Sequence, residues 1–163
     1  MKRALFALLA AAGLACGCGR PEAPAVSGGL VTDKALVEGH LVEIAHSPFD
    51  GGRSADLFDT DPATMARTEN ANPAVLEFRL PRPRPLKGIS VTVGGRDYAV
   101  AATVRPEGGA PRTYRREFRQ MSPDPTLDLE FDTGEAPIAS VRVEILDLLG
   151  GDGHIHIRTV RLL

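Results

Sequence analysis

The chain has 163 residues, with 19 Lys+Arg against 21 Asp+Glu and a formal net charge of −2 at pH 7. That balance offers no bulk attraction to nucleic acid, and the length suits one domain with its own core rather than two. Both cysteines, Cys16 and Cys18, sit near the N-terminus, so no disulfide is available to brace the rest of the chain.

Lys2 and Arg3, the apolar run from Ala4 to Leu14 and the small residues after it have the layout of a secretory signal peptide over residues 1–18. The apolar run is shorter than the roughly 20 residues a spanning helix needs. Leu14-Ala15-Cys16-Gly17-Cys18 resembles the bacterial lipobox. The resemblance implies a lipid on Cys16 or Cys18, export, and a chain anchored to a membrane of the cell envelope, at the outer membrane or cell surface. Cys18 is preferred, because cleavage before Cys16 would leave a spare thiol in an oxidising compartment. Residues 19–35, with Pro21, Pro24, Ser27 and paired glycines, read as a flexible linker, and residues 36–163 as the folded domain.

Within the domain, short apolar runs with near-alternation predict strands at Leu41–Ile44, Val75–Leu80, Ile89–Val93, Tyr98–Val104, Thr113–Phe118, Leu127–Phe131, Val141–Leu146 and His154–Leu162. Turn formers separate them, including Pro81–Pro85, Gly94-Gly95, Gly108–Pro111, Ser122–Pro125 and Gly150–Gly153. Short strands at regular spacing, without a segment of helical period, predict an all-β fold, an antiparallel β-sandwich or jelly roll.

Ala55-Asp56-Leu57-Phe58-Asp59-Thr60-Asp61-Pro62-Ala63-Thr64 is similar to the opening of the discoidin, or coagulation factor 5/8 type C, domains of the galactose-binding-like β-sandwiches. The strand series from there to the C-terminus follows the same order. The resemblance implies a non-catalytic binding domain and a structural calcium held by Asp59, Asp61 and Thr64 with carbonyls such as that of Asp56. Calcium takes six to eight oxygens, so three side chains cannot complete such a site alone. The chain departs from the family pattern at Thr60, in place of its glycine, at Ala66, in place of its tryptophan, and at Thr159, in place of its closing glutamate.

Several groups are candidates for binding. The loop Met65–Asn72 carries Arg67, Glu69, Asn70 and Asn72 beside the acidic turn. Arg112, Arg115, Arg116 and Arg119 interleave with Tyr114 and Phe118, and Arg79, Arg82 and Arg84 stand elsewhere. Guanidinium groups sharing one sheet face would suit an acidic polysaccharide or a lipid headgroup. Arg67, Asn70 and Arg116 are the expected ligand-binding residues. His154 and His156 flank Ile155 with the spacing of one strand face, where two imidazoles can meet a metal. Asp128, Glu130 and Asp132 alternate as solvated strand surface does. No Gly-x-Ser-x-Gly elbow, P-loop or dinucleotide glycine pattern is present. The function the discoidin resemblance implies is non-enzymatic recognition of a carbohydrate or other envelope component, the alternative being docking on an envelope protein.

Overall fold

The computed structural model describes residues 29–59, 61, 63–151 and 153–163. The expected signal peptide, both cysteines and most of the expected linker lie outside them. Strands β1 (Val31–Val37), β2 (His40–His46), β5 (Ala74–Arg84), β7 (Tyr98–Pro106), β8 (Arg112–Phe118) and β10 (Ile138–Asp147) form one sheet, in the order β1-β2-β5-β10-β7-β8. Strands β3 (Phe49–Gly51), β4 (Ala66–Thr68), β6 (Gly88–Gly94), β9 (Thr126–Glu130) and β11 (His156–Leu162) form the second, in the order β3-β4-β11-β6-β9. Every pairing is antiparallel. The chain is thus the antiparallel β-sandwich that its alternating pattern predicts.

Alternation explains the packing. On β10, Val141, Val143 and Ile145 are buried while Arg142 and Glu144 are partly exposed. The same reading puts Ile89, Val91 and Val93 of β6 and Leu127 and Leu129 of β9 into the shared core. Each such side chain, taken fully out of water, contributes on the order of 2 kcal/mol. Ala66, at the expected tryptophan position, is fully buried, and Gly52 at φ +73 lies against it, where a Cβ would sit 2.9 Å from Ala66 Cα.

Three expectations are corrected here. The expected linker cannot extend to residue 35, because β1 begins at Val31 and pairs with β2 along its whole length. Pro81–Pro85 is not a turn: β5 runs through Pro81 and Pro83 to Arg84, which pairs with Ile138. Residues 65–72 are not all loop, since β4 occupies Ala66–Thr68 and pairs with β11.

Two edges of the sandwich are tied by polar contacts. At the β8 and β9 edge, Arg112 donates to the Asp132 carbonyl (3.2 Å) and Arg116 to the Asp128 carbonyl (3.5 Å), while Tyr114 packs on Phe131 at 5.2 Å between ring centroids. At the opposite edge, Ser54, in a 3-10 turn at Ser54–Leu57 that joins β3 to β4, donates to Asp33 of β1 in the other sheet (3.0 Å). Asp33 also accepts from His46 Nε2 (3.2 Å), and the buried His46 ring stacks on Phe49.

Candidate functional site

The loops 47–48, 69–73, 95–97, 119–125 and 148–155 gather at one end of the sandwich, and hydrogen bonds join them into a rim. Asn72 donates to the Asp147 carbonyl (3.1 Å) and accepts from the Asp147 N–H (2.9 Å). Asp97 accepts from the Gln120 N–H (2.7 Å) through its carboxylate and from the Leu148 N–H (3.0 Å) through its carbonyl. Buried Thr68 closes the circuit: its hydroxyl accepts from the Ile155 N–H (2.8 Å) and donates to the Ala71 carbonyl (3.1 Å). Loops held in this way present side chains in fixed positions, which lowers the ordering cost of binding.

On this rim Arg67 makes a bidentate pair with Asp50, Nε to Oδ1 at 2.7 Å and Nη2 to Oδ2 at 3.0 Å. His154 Nδ1 donates to the Thr68 carbonyl (2.6 Å) and lies 3.7 Å from Asp50 Oδ2. The Arg67 guanidinium, with His154 adding to it, holds the Asp50 carboxyl below its ordinary value of 3.8. Arg67, His156 and Gly94 stand in register on β4, β11 and β6, so loop 95–97, with exposed Arg96, leaves the sheet two strand spacings, roughly 10 Å, from Arg67. Leu149, 68% exposed, offers apolar surface on loop 148–155. Asn70, exposed at φ +48, packs beside Gly153. Arg67, Asp50 and His154 thus bring a cation, an anion and an imidazole together, polar groups of the kind that orient small ligands.

The structure brings together two of the three expected ligand-binding residues. Arg67 and Asn70 share this rim. Arg116 lies on β8, at the far edge from β4, with its guanidinium 4.9 Å from the Phe118 ring centroid. The expected basic face is also divided, because strand alternation sends Arg112 and Arg116 toward β9 and Arg115 to the opposite side. Arg79 pairs with Glu43 and Arg84 with Glu38. His154 precedes β11 rather than sharing its face with His156. Among the described residues no group of three or more His, Cys, Asp and Glu side chains converges as a metal site.

The acidic turn has oxygen chemistry throughout. Thr64 Oγ1 lies 2.9 Å from Asp59 Oδ1, 2.9 Å from the Asp61 carbonyl and 3.4 Å from the Asp56 carbonyl. The Asp61 carboxylate accepts the Ala63 N–H (2.8 Å), and Asp59 Oδ1 accepts the Asp61 N–H (2.9 Å). This all-oxygen set fits calcium, with further oxygens needed to reach its usual number.

The sequence matches no family model and no curated protein. Solved structures are similar to it in fold. An F5/8 type C domain from Bacteroides fragilis superposes with a TM-score of 0.60 at 18% identity, covering 83% of this chain and 96% of that one. The family 32 carbohydrate-binding module of NanJ from Clostridium perfringens, solved with galactose, gives 0.57 at 16% identity over 74% and 92%. The family 32 module of AlyQ, solved with 4,5-unsaturated mannuronic acid, gives 0.57 at 10% identity over 80% and 98%. The fold is therefore that of the galactose-binding-like discoidin and family 32 sandwiches.

Proposed function

We propose that the chain is a non-catalytic carbohydrate-binding domain carried on an envelope lipoprotein, and that its ligand sits on the loop rim around Asp50, Arg67 and His154. The observation that carries this reading is the convergence of those three side chains, from β3, β4 and loop 148–155, on a hydrogen-bonded end of the sandwich. Vicinal hydroxyls can donate to Asp50 while accepting from Arg67, and Leu149 can contact the apolar face of a sugar ring. Similar sandwiches solved with galactose and with an unsaturated mannuronic acid support the ligand class. An acidic sugar would suit the guanidinium groups of Arg67 and Arg96.

The reading is tested by applying the full-length chain to an array of neutral and acidic glycans, with and without calcium. Saturable binding to one glycan class, weakened about tenfold or more in Arg67→Ala and unchanged in Arg115→Ala, is the expected result. Silence of a folded sample across the array, or binding indifferent to Arg67→Ala, would remove the site. Calcium held by Asp59, Thr64 and the Asp56 and Asp61 carbonyls would stiffen the turn that leads into β4, and added calcium should then raise the melting temperature by mass action.

Anchoring belongs to the same proposal. A diacylated or triacylated cysteine gives lasting attachment where a single acyl chain gives only marginal binding. Replacing both Cys16 and Cys18 with Ser should move the protein from the membrane fraction to the soluble one. Retention in the membrane fraction would end the anchor reading.

A further inference from the structure

At the end of the sandwich opposite the loop rim, the six-stranded sheet does not close. The β2–β5 ladder runs from His46↔Leu76 to Glu43↔Arg79 and stops. Continued in register, it would set Leu41 against Pro81 and Gly39 against Pro83. Proline has no N–H to donate, so pairing on this side fails, and on its other side β5 bulges away from β10 between Arg79↔Ser140 and Arg84↔Ile138. The strands part around a cleft of about 520 Å³, lined by Val37, Leu41, Val42, Leu80, Arg82 and Leu162 among others.

β2 remains paired with β1 as far as His40↔Val37. Because successive residues of a strand direct their N–H and C=O groups to opposite sides, Leu41, like Glu43 and Ala45, aims its backbone groups away from β1 and into the cleft, where the β2–β5 ladder gives it no partner. Leu41, 60% exposed, stands directly opposite Leu36, 64% exposed, and extends the apolar surface over the lip. The charges at this lip are uneven. Arg84 is neutralised by Glu38 and Arg79 by Glu43, whereas Arg82 is exposed and makes no ion pair among the described residues.

We propose that this cleft receives an extended segment of a partner protein by strand addition to β2, with apolar side chains seated on Val37, Val42, Leu80 and Leu162 and an acidic side chain on Arg82. Main-chain hydrogen bonds would supply affinity, and alternate side chains entering the cleft would supply specificity. The proposal is independent of the carbohydrate reading, since it uses the other end of the molecule.

The test is selection of random peptides displayed on phage against the full-length chain, followed by anisotropy titration of the most enriched peptide. Enriched sequences are expected to alternate apolar residues with others and to include an acidic residue. Affinity should fall about tenfold or more in Leu41→Asp and in Arg82→Glu and stay unchanged in Arg115→Glu. Leu41 and Arg82 are exposed, so these variants should keep the parent's melting curve. The double variant Pro81→Val with Pro83→Val restores two N–H groups; it should melt higher and lose the peptide, because β5 can then pair with β2. No enrichment, or binding that survives all of these changes, overturns the proposal. So does a different occupant: dimers in sedimentation that Leu41→Asp dissolves, or binding to phosphatidylglycerol vesicles that the same change abolishes.

Discussion

Tyr98 shows how one side chain couples the core to the loop rim. Its ring is buried at the start of β7 and its hydroxyl donates to the Gly94 carbonyl at the end of β6. Gly95, at φ +127, passes so close that a Cβ would lie 2.5 Å from that hydroxyl, so the turn entering loop 95–97 accepts only glycine without moving the ring. Burial, then the negative charges of Asp147 and Asp124, push the phenol from its ordinary 10.0 up to about 12. A group whose value is raised by folding stabilises fully below its unfolded value and loses that contribution as pH rises through the folded one. The corresponding window here lies between 10.0 and about 12. In a Tyr114→Phe background, which leaves Tyr98 as the only tyrosine, tyrosinate absorbance should stay flat through pH 10 and rise together with unfolding. Ordinary titration near 10 with the fold intact would contradict the buried hydroxyl.

Elements differ in how much of them the residues disclose, and the differences have physical causes. The eight strands expected from alternation are all present; β2, β7, β9 and β10 show the cause most plainly, with one face in the core and one toward solvent, so that burial imposes period two. β1 escapes that pattern because Thr32, Asp33 and Lys34 are exposed and only Ala35 and Val37 are buried, so an edge strand carries the composition of a linker. β3 and β4 have three residues each, too few for a period, and their pairing is set by β11 from far along the chain. Pro81 and Pro83 mark the end of a ladder rather than of a strand, a distinction that depends on which neighbour each proline faces. The same limits govern the candidate site. Arg67 and Asn70 stand out as polar residues beside an acidic turn, but the partnership of Asp50 with Arg67 arises only when β3 pairs with β4. Arg116 stands apart from both, because β8 lies at the far edge of the sandwich from β4.

At the scale of the whole molecule, the two edges of the sandwich are tied by different chemistry, and acid should separate them. The β8 and β9 edge is held by guanidinium groups donating to backbone carbonyls, contacts that involve no carboxylate. The other edge depends on carboxylates. Hydrogen bonds from His46 and then Ser54 hold Asp33 below its ordinary 3.8, and Arg67 does the same for Asp50. For carboxyls lowered by folding, the contribution to stability is fully present above 3.8 and is lost as pH falls through the folded values beneath it. Unfolding in that window should take up as many as about two extra protons on account of this pair. Asp33 ties β1 to β2 and to the 3-10 turn, while Asp50 ties β3 to β4, so protonation loosens neighbouring strands of both sheets on one side. Amide protection in β1 should therefore fall, as pH is lowered through this range, before protection in β8 does. In Asp33→Asn with Asp50→Asn the protein should be less stable at neutral pH, and its denaturant midpoint should depend less steeply on acid. Simultaneous loss of protection at both edges, or an acid limb equally steep in the double variant, would mean that these carboxylates do not hold the edge. Sequential loss would identify β1 as the first strand to leave, with the Arg-tied edge still closed behind it.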